Sequence, residues 1–249
     1  TKLSEWDGIM LTQYPKLALA VTMFDEAESV THTVTTLGPR FLRIEVMQSQ
    51  EEPYPALAEA LGRHAAGAYS LLPNLDPRTP EERAAKVERF DFVNRSIARN
   101  LSQAFANLLP FAAELEYVVA ITGDTLLLYP YGLWDIIGRM GTADVAVSRA
   151  MGQDFHRADL TREQIANKND PKGGRKQDET VKDFMPQLFI ARASLIERLS
   201  HIAVTNPWCS EQCMGDAVGD ANLFVFSETA YGYSDGVIYH VPSPTNWRH

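Results

Sequence analysis

Four short polar clusters close apolar, strand-length runs in this chain, and each carries groups able to meet a cation, a hydroxyl or a phosphate. Thr22 and Asp25 stand at the end of the run from Leu17 to Phe24, and Gln48 and Ser49 follow Phe41–Met47. Thr122-Gly123-Asp124 closes the run that begins at Tyr117, and Ser148 and Arg149 close the one that begins at Ala143. In open α/β sheets ligands sit outside the carboxyl ends of the strands, so the four clusters mark one edge as a polar, partly acidic crevice. Each cluster taken singly also reads as a turn. Asp25, Glu26 and Glu28 suit the first turn of a following helix through its dipole, and Asp124 suits a helix cap. The best-defined nucleotide and hydrolase signatures are missing. No G-x-G-x-x-G follows a strand and no G-x-x-x-x-G-K-[ST] occurs, which disfavours a dinucleotide fold and a phosphate-loop NTPase. No G-x-S-x-G elbow occurs either, so an α/β hydrolase lacks its main clue.

The elements that must position these groups alternate along the chain. Leu17–Phe24 is apolar without interruption, the pattern of a strand buried on both faces. A helix is expected over Ser29–Leu37, a strand over Phe41–Met47 and a helix over Ala56–Ala68. A long helix is expected over Glu81–Leu109, where Phe90, Val93, Ile97, Leu101, Phe105 and Leu108 recur at helical spacing, and Pro110 ends or kinks it. Strand, helix and strand follow over Tyr117–Thr122, Leu133–Met140 and Ala143–Ser148. Phe184–Leu199 reads as strand then helix, Pro207–Met214 opens a helix, and Leu223–Phe226 and Val237–Val241 are short strands. This alternation predicts an α/β fold, a mostly parallel central sheet flanked by helices, with residues 1–249 as a single domain. A polar stretch of about thirty residues, 152–182, interrupts the pattern and reads either as a mobile loop or lid or as plain disorder.

Composition narrows the class. A chain of 249 residues, 45% hydrophobic and 22% charged, can bury a substantial core and is globular rather than disordered or fibrous. Its net charge of −9 argues against general nucleic-acid binding, although a local basic pocket could hold one diphosphate. No apolar run has the length of a membrane span, and Thr1–Gly8 lacks the basic head and apolar stretch of a signal peptide. Cys209 and Cys213, four apart, would share one helical face, and no further Cys or His set completes a zinc site. Reduced thiols and a cytoplasmic setting are expected.

Taken in order, the buried first strand with its polar turn, the helix carrying Arg99 and Asn100, and the strand ending in a short acidic motif resemble a GT-A-fold glycosyltransferase. The resemblance spans roughly Leu17–His240, with loose motifs. It implies an Asp-x-Asp tripeptide, here Thr122-Gly123-Asp124, in which the last acid is retained and a hydroxyl replaces the first. Asp124 would then hold Mn²⁺ or Mg²⁺, hard cations that favour oxygen ligands and can bridge to a diphosphate. Gly123 would let the backbone approach the ligand closely. The family also implies a third metal contact near the C-terminus, matched by His240, with His249 in reserve. Thr22, Phe24 and Asp25 match the base and ribose side. Arg95 and Arg99, one turn apart, are placed to reach the diphosphate, or to pair with Glu88 or Asp91 on their own helix. Glu211, with Asp216 second, would be the acceptor-side base of an inverting enzyme, or Glu211 a first-turn charge. The implied partners are a nucleoside-diphosphate sugar, a UDP-sugar first, and an unidentified acceptor. A binding or regulatory protein without turnover is the alternative, because the first acid is missing.

Overall fold

The structure of the protein, a computed structural model, describes residues 15–24, 26–50, 52–72, 90–123, 125–127, 130–148, 188–202, 209–226 and 238–240. Among these, seven strands form one sheet: β1 (Leu17–Met23), β2 (Arg43–Gln48), β3 (Gly67–Leu71), β4 (Tyr117–Thr122), β6 (Val145–Ser148), β7 (Leu188–Arg192) and β8 (Leu223–Phe226). Their order across the sheet is β3-β2-β1-β4-β7-β6-β8. All adjacent pairs are parallel except the two made by β7, which runs against both β4 and β6. A separate antiparallel pair joins β5 (Thr125–Leu127) to β9 (Ile238–His240). The expected α/β architecture with a mostly parallel, helix-flanked sheet is therefore present, with one antiparallel strand that the run of elements does not reveal.

The unbroken apolar run of β1 is buried at every position because it lies near the middle of the sheet and is covered on both sides. Alternation divides it. Leu17, Leu19, Val21 and Met23 join Ile44, Val46, Val119 and Ile121 in one core, against α1 (Ala27–Leu37), α2 (Pro55–Gly62) and α4 (Pro130–Met140). Ala18 and Ala20 join Met47, Val118 and Ala120 in the other, against α3 (Phe90–Leu108), α5 (Ile196–Leu199) and α6 (Cys209–Val218). The alanines on that second face leave room for the large residues of α3, and Phe105 stacks on Phe189 with ring centroids 6.1 Å apart.

Two side-chain bonds fix the direction of α3. Asn100 meets Ser49 just past the carboxyl end of β2, while Asn107 Nδ2 donates to Glu45 Oε2 at 3.0 Å near its start. Seven residues of helix span about 10 Å and four of strand about 13 Å, so the helix runs antiparallel to the sheet. Its first half therefore reaches beyond the carboxyl edge.

One expectation needs correction. The helix expected over Ala56–Ala68 stops at Gly62, and Gly67–Leu71 is a strand paired to β2. Gly67 makes this possible, since a methyl group there would stand 2.8 Å from the Leu61 carbonyl oxygen. The strand ending at Ser148 is separated from β4 by β7 but runs parallel to β4, so Ser148 closes it on the same carboxyl edge as the other clusters. The 152–182 segment lies outside the described residues, as do the side chains of Cys209 and Cys213. Among the described residues, no helix is long and apolar enough to cross a membrane.

Candidate functional site

Strand alternation brings three hydroxyl residues to one face at the carboxyl edge. Thr22 and Thr122 are in register on β1 and β4, on the α3 side of the sheet. Ser49 follows Met47 on that same side and donates its amide hydrogen to the Met23 carbonyl at 3.0 Å, tying the ends of β2 and β1 together. All three are buried, and helix α3 lays Asn100, 1% exposed, against Ser49.

The polar contacts there are organised around Arg99. Its Nε and Nη2 donate to Asn100 Oδ1 at 3.2 and 2.9 Å, and Nη2 also donates to Ser49 Oγ at 3.3 Å. Asn100 Nδ2 in turn donates to Ser49 Oγ at 2.8 Å. Burial lowers the pKa of the Arg99 guanidinium. Because arginine starts so far above neutrality, the group stays a cation, half-buried and gripped along one edge.

The turns after β1 and β4 interlock. Glu26, 6% exposed, caps no helix with its side chain, and its Oε2 instead accepts the Phe24 amide hydrogen at 2.8 Å. Ser29 Oγ lies 2.9 Å from the Glu26 carbonyl oxygen and also against that of Gly123, so its single proton serves one or the other. The Gly123 amide hydrogen goes to the Thr22 carbonyl at 2.7 Å. A methyl group on Gly123 would stand 2.7 Å from Met23 Cβ and 2.8 Å from Glu26 Oε2. The glycine is thus required by packing against the neighbouring turn, where the sequence suggested close approach of a ligand. Thr122 Oγ1 lies 3.1 Å from Thr125 Oγ1, one hydroxyl donating to the other.

Among the other residues singled out in the sequence, Phe24 is half-buried at the end of β1. Asp25 and Asp124 lie outside the described residues. Arg95 sits one turn before Arg99 on α3, in the half that reaches past the sheet, and its side chain is outside the description. His240 is placed by backbone register opposite Thr125, the chain neighbour of Asp124. Glu211 lies in the first turn of α6, again with its side chain outside the description, whereas Asp216 is exposed in the last turn. Helix α6 leads through Gly219 to the start of β8, which pairs in parallel with β6, so the last turn, which carries Asp216, lies toward the amino edge. Among the described residues no group of three His, Cys, Asp or Glu side chains is arranged around a common cation position.

Two residues were legible only as turn chemistry. Glu26 read as a capping charge and Ser49 as one member of a polar pair, and no local pattern says that either meets a partner from a distant element. The described cavity, about 390 Å³ between Leu109, Leu115, Glu116, Arg192 and Glu197, lies at the amino end of β4, away from these groups.

No family model and no curated protein matches the sequence. Several solved structures resemble the chain at low similarity. Core-mannan synthase A from Aspergillus fumigatus, in its Mn/GDP form, matches 95% of this chain and 83% of its own at 8% identity and a TM-score of 0.48. A197 from STIV matches over 91% and 86% at 6% identity and 0.45. The 4-diphosphocytidyl-2C-methyl-D-erythritol synthase from Anaerococcus prevotii matches over 94% and 95% at 9% identity and 0.44.

Proposed function

We propose that the protein binds a nucleoside-diphosphate sugar, a UDP-sugar first, at the carboxyl edge of β1, β2 and β4, and transfers the sugar to an acceptor with the help of a divalent cation. The observation that carries this reading is the convergence of Thr22, Ser49, Thr122 and the half-buried Arg99 on one face of that edge. Hydroxyls there suit a ribose or base, and a fixed guanidinium suits a diphosphate. Asp124, one residue beyond Gly123, is the proposed ligand for Mn²⁺ or Mg²⁺, and the register that sets His240 opposite Thr125 supports it as a second contact. When bound, the cation would neutralise charge on the departing diphosphate. Thr22, Phe24 and Asp25 would face the base and ribose, and Arg95 with Arg99 the phosphates. Glu211 is favoured over Asp216 as the base for the acceptor hydroxyl, because Asp216 lies in the turn of α6 next to the amino edge. The lid role of 152–182 and the cytoplasmic setting stand as further parts of this proposal.

Titration of the purified protein with UDP-sugars in the presence of Mn²⁺, followed by calorimetry, tests the reading. Saturable binding that depends on the cation and is lost in Asp124→Ala is expected; no affinity for any UDP-sugar would sink it.

A second reading, binding without turnover, is favoured by one contact. The Thr122 hydroxyl, standing where the family motif has its first acid, is taken up by Thr125. That reading predicts nucleotide affinity with neither transfer nor donor hydrolysis, and it fails if measurable turnover disappears in Glu211→Ala.

A further inference from the structure

Asn100 and Ser49 together hold the Nε and Nη2 edge of the Arg99 guanidinium, and the geometry of that hold has a functional meaning. Asn100 presents its carbonyl oxygen to two nitrogens of the guanidinium, and its amide to Ser49 Oγ. Ser49 Oγ also receives a bond from Arg99 Nη2. The three side chains close a ring of hydrogen bonds across two elements distant in sequence, and Ser49 is itself anchored through its amide to the end of β1. An arginine side chain carries substantial rotamer entropy, so a guanidinium already fixed along one edge loses less on meeting an anion. Asn100 is buried to 1% exposure, a costly position for an amide that only good hydrogen bonds justify.

We propose that Asn100 is a positioning residue that, with Ser49, sets the Arg99 guanidinium at the carboxyl edge to receive the diphosphate of the nucleotide. The inference rests on the nucleotide-diphosphate reading given above. It makes a claim that reading does not: Asn100 acts through Arg99 and on the phosphates alone.

Calorimetry of the full chain with Mn²⁺ separates the possibilities, using UDP and uridine as probes against Arg99→Ala, Asn100→Ala, Ser49→Ala and the double variant Arg99→Ala/Asn100→Ala. Loss of an oriented charge-assisted contact should weaken UDP binding about tenfold in Arg99→Ala and nearly as much in Asn100→Ala, with uridine affinity unchanged. The double variant should be no weaker than Arg99→Ala alone, because residues acting as one unit do not add. Ser49→Ala, which leaves the buried amide in place, should show a smaller loss with the same selectivity for UDP and guards against failure of Asn100→Ala to fold. Additive losses in the double variant, or equal losses for UDP and uridine, overturn the positioning role while leaving nucleotide binding standing. A wild-type protein that binds neither probe brings down the nucleotide reading, and this inference with it.

Discussion

Replacing Gly123 with alanine would push a methyl group into Met23 Cβ and Glu26 Oε2, both held by a buried strand end and a buried turn. Overpacking of this kind costs about 1–3 kcal/mol, and we expect Gly123→Ala to lower the denaturation midpoint accordingly. A glycine needed only for ligand approach would leave the free protein unaffected, so the midpoint measured without ligand decides between the two origins. Glu45 makes a second prediction at this scale. Desolvation raises its carboxyl above the ordinary value of 4.5, against the smaller opposing effects of the Asn107 hydrogen bond and the Arg43 charge. A raised folded-state value means that the folded protein holds the proton more tightly than the unfolded chain does. This residue's contribution therefore favours folding at low pH and is lost as pH climbs from about 4.5 through the raised value. Glu45→Gln retains an acceptor for Asn107. It should raise the urea midpoint at pH 7, by a margin that closes as the pH is brought down toward 4.5.

Helix α1 packs against α2 and β5, and Thr33 on its buried face has a hydroxyl with no hydrogen-bond partner among the described residues. Thr33→Val exchanges that hydroxyl for a methyl of similar size. We expect it to stabilise the protein by about 1 kcal/mol, with Thr33→Ser destabilising instead; a midpoint unchanged or lowered in Thr33→Val would show that the hydroxyl is satisfied. The elements were legible to different degrees for identifiable reasons. Apolar runs marked β1 and β4 because burial on both faces leaves no polar position inside them, and apolar alternation marked β2. The spacing of Ile97, Leu101, Phe105 and Leu108 marked α3 because one stripe must face the sheet. Helix α2 is shorter than its sequence suggests, since Ala65, Ala66 and Ala68 carry helical preference and nothing local shows that β2 offers this segment a pairing edge. The antiparallel direction of β7 was equally hidden, because strand sense depends on where the chain returns from rather than on the residues of the strand.

For the whole molecule, the net charge of −9 works against an anionic nucleotide, so the proposed site must supply its own cations, Arg99 and a bound metal ion. A ligand present at about 100 times its dissociation constant stabilises the state it binds by about 2.7 kcal/mol. In a chain of this size that corresponds to a rise of about 5–10 °C in Tm. We expect UDP with Mn²⁺ to produce such a shift, and Asp124→Ala to remove its cation-dependent part; an equal shift in that variant would exclude Asp124 as the metal ligand. The sequence by itself determined that the chain is an α/β protein and that its strands end in polar, hydroxyl-bearing turns, because periodicity and strand-end chemistry are local properties. It also carried both halves of the proposed site, the 22–25 and 122–124 turns, as separate segments. Only the tertiary structure decided that Thr22, Thr122 and Ser49 share the face beneath α3, that Asn100 grips Arg99 and Ser49 together, and that the Glu26 carboxylate fills the space above Gly123. Such neighbours are set by strand order and helix direction, which arise from contacts between segments far apart in the chain and leave no mark in the local pattern.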